Sequence, residues 1–147
     1  MSKVYLAMYK AEGNWVDKII RLFTGKPYSH CEIAVEVVEG MPYCYSSSPR
    51  DGGVRRKIMK LPKEKWDLIP LPYTSGQKVE AFYQKTRGKK YDFLGAVGCV
   101  LPLRQKPSRY YCSEWCYEAI WGIQPRKTVS PNQLAKMIKE EITLHKV

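Results

Sequence analysis

The sequence predicts an α+β domain, an antiparallel sheet flanked by helices, and three observations carry that expectation. Stretches rich in β-branched and aromatic residues, one of them cleanly alternating, crowd the first half of the chain. Stretches of helical period stand on either side of them. Turn residues separate the strand-like stretches, and no linker, repeat or low-complexity tract interrupts the run. The 147 residues are therefore expected to form a single domain, 1–147, long enough to bury about two-thirds of the surface its unfolded form exposes.

Each element follows from its own residues. Lys3 to Tyr9, KVYLAMY, has strand composition. A helix is expected from Asn14, because Trp15, Ile19, Leu22 and Phe23 fall at i, i+4, i+7 and i+8, with Asn14 to cap it and Gly25 to stop it. After a KPYS loop, HCEIAVEVVEG alternates. Cys31, Ile33, Val35 and Val37 share one face, His30, Glu32, Ala34 and Glu36 the other, which predicts a strand with one side in the core. MPYCYSSS is its expected hairpin partner and PRDGG a turn; VRRKIMKL and WDLIPL continue the sheet, with prolines marking their ends.

In SGQKVEAFYQKTRG, Val79, Phe82, Tyr83 and Thr86 share a helical face that Gly88 closes. KKYDFLGAVGCVLPL is expected to be a short helix and loop. CSEWCYEAIWG predicts a helix with Trp115, Cys116, Ala119 and Ile120 on one stripe and Gly122 as the stop. SPNQLAKMIKEE opens on Ser130 as N-cap, Pro131 at the first helical position and Gln133 at the third. The tail ITLHKV is expected to be a last strand or a frayed end.

A composition of 44% hydrophobic and 27% charged residues excludes a disordered or fibrous chain. No leader pattern opens the sequence and no window approaches a membrane-spanning apolar run, so a cytoplasmic location is expected, the host cytoplasm if a phage encodes the chain. Five cysteines are an odd number without paired spacing, which predicts mostly free thiols. The net charge of +11 gathers in RRKIMKLPKEK, KTRGKK and RQKPSR. Such a surface attracts anionic polymers or lipid headgroups, and nucleic acid as well, although no nucleic-acid motif accompanies it.

Only two histidines exist, His30 and His145, and the second stands close to the end of the chain. A thiol–imidazole enzyme needs a thiolate near neutral pH and a base beside it, which leaves His30 as the candidate base. Glu32, two residues on and so on the same strand face, can hold the imidazole in one tautomer. Periodicity alone favours an ordinary His and Glu on a solvated strand face. Cys112 stands where a helix begins, and there the unpaired N–H groups and the macrodipole favour a thiolate and can build an oxyanion hole. It can as well be a small apolar residue of the core. Cys116 belongs to the buried stripe. Zinc is not expected, because Cys31, Cys44 and Cys99 are scattered and a closed site wants four clustered ligands. Phosphate-binding glycine loops, G-x-S-x-G and H-E-x-x-H are missing.

The order of YSHCEIAVE, GKKYDFLG and YYCSEWCYEAIWG resembles the circularly permuted branch of the NlpC-type papain-like superfamily, from about Val4 to Gln133. That branch holds the YiiX-type bacterial and phage proteins and, more distantly, the lecithin:retinol acyltransferase family. The permutation shows in the histidine strand preceding the cysteine helix. The resemblance implies a permuted papain-like fold and a cysteine hydrolase, peptidase or acyltransferase without cofactor. It makes Cys112 the nucleophile, His30 the base and Glu32 the third, orienting group, with Ser46 or Ser47 as substitutes for Glu32. Tyr91 and Asp92 would shape the cleft, and Tyr111 and Ser113 would lie in the pocket beside the thiol. Cell-wall peptides and lipid acyl esters are the substrates it implies. A non-catalytic module that binds nucleic acid or another polyanion on the same scaffold is the competing expectation.

Overall fold

A computed structural model describes residues 3–11, 27–38, 40–92 and 109–145. Among them, seven strands form one sheet: β1 (Lys3–Tyr9), β2 (His30–Val38), β3 (Met41–Ser48), β4 (Gly53–Ile58), β5 (Trp66–Pro70), β6 (Lys90–Tyr91) and β7 (Arg109–Tyr110). Their order is β5-β1-β2-β3-β4-β6-β7. Neighbours run antiparallel through β6, and the two-residue β7 joins β6 in parallel. Three helices accompany them: α1 (Gly76–Thr86), α2 (Cys112–Trp121) and α3 (Pro131–His145). The helix expected from Asn14 and most of the KKYDFLGAVGCVLPL stretch, Cys99 included, lie outside the described residues. The start of that stretch, Lys90–Tyr91, is a strand rather than helix or loop.

The helices build the main core on one face of the sheet. Leu6 and Met8 of β1, Cys31, Ile33 and Val35 of β2, and Tyr45 of β3 meet Cys112, Trp115, Cys116, Ala119 and Ile120 of α2 there. Trp115 sets the height of α2. It is fully buried, stacks at 6.4 Å and 4° on Tyr45, and donates from Nε1 to Thr86 Oγ1 at 2.8 Å, which ties α2 to α1. One turn upstream of Trp115 stands Cys112, the first residue of α2, buried in the same core. Gly122 ends α2 in the left-handed region at φ 78°, where a side chain would strain the backbone.

Three expectations are corrected. Only one side of β2 was expected in the core, yet Ala34 and Glu32 on the other side are buried too. Ala7 and Cys44 pack with Ala34, and Met59, Leu61 and Trp66 from the β4–β5 connection and β5 close over them. Val37, assigned by alternation to the core face, is 64% exposed, and so is Val38 beside it, because both lie past Glu36, the last residue of β2 with a described partner on β1. The tail is neither strand nor frayed end before His145: α3 runs through ITLH, beginning at the expected capping box, with Ser130 Oγ accepting from the Gln133 N–H at 3.2 Å and Gln133 Oε1 accepting from the Ser130 N–H at 2.8 Å.

Candidate active site

His30 is the first residue of β2, paired with Tyr9, the last of β1. At a strand end the ring is not confined to one face of the sheet. Its Nε2 is bonded to Glu32 Oε2 on the face away from the helices. The ring is also close enough to Cys112 for each group to shift the titration of the other. The structure therefore brings the three residues together, although 82 positions separate His30 from Cys112 (112 − 30).

The electrostatics of this trio favour its charged form. Cys112 is 1% exposed. A hydrogen bond from Cys31 lowers its pKa, burial opposes the change, and the charge and hydrogen bond of His30 carry it well below the ordinary thiol value. Burial alone would push His30 down, but the Cys112 and Glu32 charges and their hydrogen bonds outweigh it and raise the imidazole to about 10. Glu32 is fully buried, and burial would raise its pKa; His30 and then Arg55 overcome this and hold it below the usual carboxylate value. These shifts favour thiolate and imidazolium over the neutral pair, and that is the form in which a cysteine is nucleophilic and its partner can give a proton.

Arg55 of β4 is the residue that sequence reasoning missed. Its Nη1 donates to Glu32 Oε1 at 2.5 Å and its Nη2 to Glu32 Oε2 at 2.8 Å, while Nε donates to Asp51 Oδ2 at 2.8 Å. The only trace in the sequence is the parity of β-strand positions. Glu32, Ser46 and Arg55 fall on one face of three neighbouring strands, but that requires the register to be known.

Ser46 and Ser47, the alternatives to Glu32, point their hydroxyls elsewhere: Ser46 Oγ donates to the Cys31 carbonyl at 2.7 Å and Ser47 Oγ to the Tyr110 carbonyl at 2.6 Å. The expected pocket residues sit in the interior. Tyr111 hydroxyl donates to the Val129 carbonyl at 2.7 Å and accepts from the Val129 N–H at 2.8 Å, and Ser113 Oγ donates to the same carbonyl at 2.5 Å. These bonds fasten the start of α2, the helix that carries the thiol, to the approach of α3. Tyr91 and Asp92 are each 2% exposed, at the end of β6, and Asp92 N–H donates to the Tyr110 carbonyl at 2.8 Å.

A cleft of about 80 Å³ opens onto His30, and Tyr9, Glu32, Arg55, Met59 and Trp66 are among its walls. The Tyr9 and Trp66 rings stand 5.0 Å apart and Trp66 meets the imidazole edge-on at 6.5 Å, giving one aromatic wall. Hollows of about 720 Å³ beside α3 and about 660 Å³ at the β1–β5 edge are larger and do not reach His30, and Cys112 lines neither of them nor the cleft at His30. Among the described residues no three His, Cys, Asp or Glu side chains are grouped to hold a metal ion, and no helix is long and apolar enough to cross a membrane. No family model, curated protein or solved structure matches this chain.

Proposed function

We propose that the protein is a thiol-dependent acyl-transfer enzyme, and the observation that carries the proposal is the contact between His30 and Cys112 at the start of α2, with Glu32 behind the imidazole. The Cys112 thiolate attacks an amide or ester carbonyl. The first N–H groups of α2, which have no partner one turn back, face the developing oxyanion, and loss of one such donor typically costs about 3–4 kcal/mol of barrier. His30 gives its proton to the leaving amine or alcohol as the tetrahedral intermediate collapses to a thioester. It then takes a proton from water, or from a second acceptor, as that nucleophile releases the acyl group and restores the thiolate. Glu32 holds the imidazole in one orientation and stabilises its positive charge throughout.

The histidine-first order and the YSHCE and YYCSE stretches support a place beside the permuted NlpC-type hydrolases and acyltransferases, with a cell-wall peptide or lipid acyl ester as substrate. The test is the pH dependence of iodoacetamide alkylation, with mass spectrometry locating the label. Cys112 is expected to react well below its free-thiol pKa of about 8.5, and His30→Ala to move that reactivity upward. Alkylation that follows an ordinary thiol pKa and ignores His30 would return Cys112 to the structural thiols.

A further inference from the structure

We infer that Arg55 is a positioning residue for the Cys112–His30 pair and acts on it through Glu32. The inference rests on the acyl-transfer reading above and adds to it a residue that touches neither reacting atom.

Three observations lead to it. First, Glu32 is fully buried and spends both oxygens on cations: Oε1 accepts from Arg55 Nη1, and Oε2 is shared between Arg55 Nη2 and His30 Nε2. A buried carboxylate with only His30 for company would relieve its desolvation by taking the imidazole proton. The guanidinium supplies the second positive charge that keeps the proton on the histidine. Second, the fork is aimed. Arg55 pairs with Ser46 on β3, which stands between it and β2, and the short Ser46 side chain turns its hydroxyl to the Cys31 carbonyl, leaving the guanidinium room to pass over. Third, the fork is fixed from behind by Asp51, which also accepts from Lys57 Nζ at 3.2 Å, and from the side by the Cys44 carbonyl at 3.3 Å. The result is a row of alternating charges, Asp51, Arg55, Glu32, His30 and Cys112, in which each member favours the ionised form of the next.

A plain structural ion pair would have no reason to end on the imidazole. A lysine at position 55 could not replace the fork, since one ammonium cannot span both Glu32 oxygens in the geometry of a guanidinium. The other titratable neighbours are Cys31 and Glu114 around the thiol, and Tyr9, Arg50 and Lys57 around the cleft. Cys44 also feels the Glu32 charge, but the bonds described for Glu32 are to His30 and Arg55, and Arg55 is the one of the two outside the reacting pair.

The experiment follows both partners without needing a substrate. The thiolate of Cys112 is titrated by its ultraviolet absorbance, taken as the difference from Cys112→Ala, and the His30 imidazole by nuclear magnetic resonance, in the wild type, Arg55→Met and Arg55→Lys. The expected result is that Arg55→Met raises the Cys112 midpoint and lowers the His30 midpoint, each by about one pH unit or more, which is tenfold in the charged population. Arg55→Lys should fall between, and its shift carries the test alone if Arg55→Met does not fold. Wild-type midpoints in both folded variants would overturn the role of Arg55 while leaving the activated pair standing. Ordinary thiol and imidazole midpoints in the wild type would overturn the pair and the inference together.

Discussion

Glu114 stands two positions after Cys112 in the first turn of α2, 2% exposed, and its Oε2 has no hydrogen-bond partner among the described residues. Burial pushes its carboxyl up to about 8, and the negative charges of Asp92, Glu118 and Cys112 add to the effect. The unfolded chain releases this proton near the ordinary value of 4.5. Between the two values the folded state therefore binds a proton that the unfolded state has lost. The stability this group confers is complete below about 4.5, declines by up to about 1.4 kcal/mol per pH unit as pH rises, and is gone above about 8. His30 and Cys112 titrate in overlapping ranges, so the quantity to measure is the difference between wild type and Glu114→Gln in denaturant unfolding at several pH values. The variant is expected to match the wild type at pH near 5 and to exceed it at pH near 8, where it carries no buried charge. A constant difference across that interval would mean that Glu114 is ionised in the folded chain.

At the scale of elements, β4 links the site to the rest of the sheet, and Gly53 is its weak point. A Cβ at Gly53 would lie 2.0 Å from the Lys89 carbonyl oxygen, a backbone atom that the Val54 N–H already holds at 2.8 Å. Gly53→Ala must push β6 away, whereas Gly52→Ala meets open space and carries only the cost of a left-handed alanine, about 1–2 kcal/mol. Gly53→Ala is expected to cost more, about 2–3 kcal/mol or above, read as a lower denaturant midpoint. Equal midpoints for the two variants would count against close packing of β4 on β6.

The same scale shows which parts of the molecule the sequence reveals. Local chemistry is legible: the Ser130–Gln133 capping box, Gly122 at the end of α2, the alternation from Cys31 to Val35 and the buried stripe around Trp115 all rest on neighbours within a turn or a strand. The pairing of His30 with Cys112 could be anticipated because a chain with two histidines leaves little choice. Nonlocal cover is not legible. Nothing in the period of β2 tells that Met59, Leu61 and Trp66 fold over its second face, or that Arg55 reaches Glu32 from two strands away. Those features depend on strand order and register, which the hydrophobic pattern of one strand does not contain. Val37 likewise leaves the core because β2 runs on past its last described pair with β1, and the composition does not mark where that pairing stops.

For the whole molecule, charge is the property that no single site explains. The net +11 includes Lys60, Lys63 and Lys65, all exposed on the connection between β4 and β5, beside Lys57 and Met59 in the cleft wall. A cationic flank beside a narrow cleft raises the local concentration of an anionic partner at its mouth, whether or not the thiol reacts. Duplex DNA of arbitrary sequence is a suitable probe of that field, because its binding through phosphates follows a known salt law. The affinity is expected to fall linearly with salt on logarithmic axes and to be unchanged by Cys112→Ala. Reversal of the three lysines to glutamate should shrink the slope by about two to three, close to one per lost phosphate contact. A slope untouched by the reversals would place the polyanion-binding face elsewhere and detach it from the cleft. Affinity that falls steeply with salt and survives Cys112→Ala supports the competing view of the scaffold as a polyanion-binding module, because that binding owes nothing to the thiol.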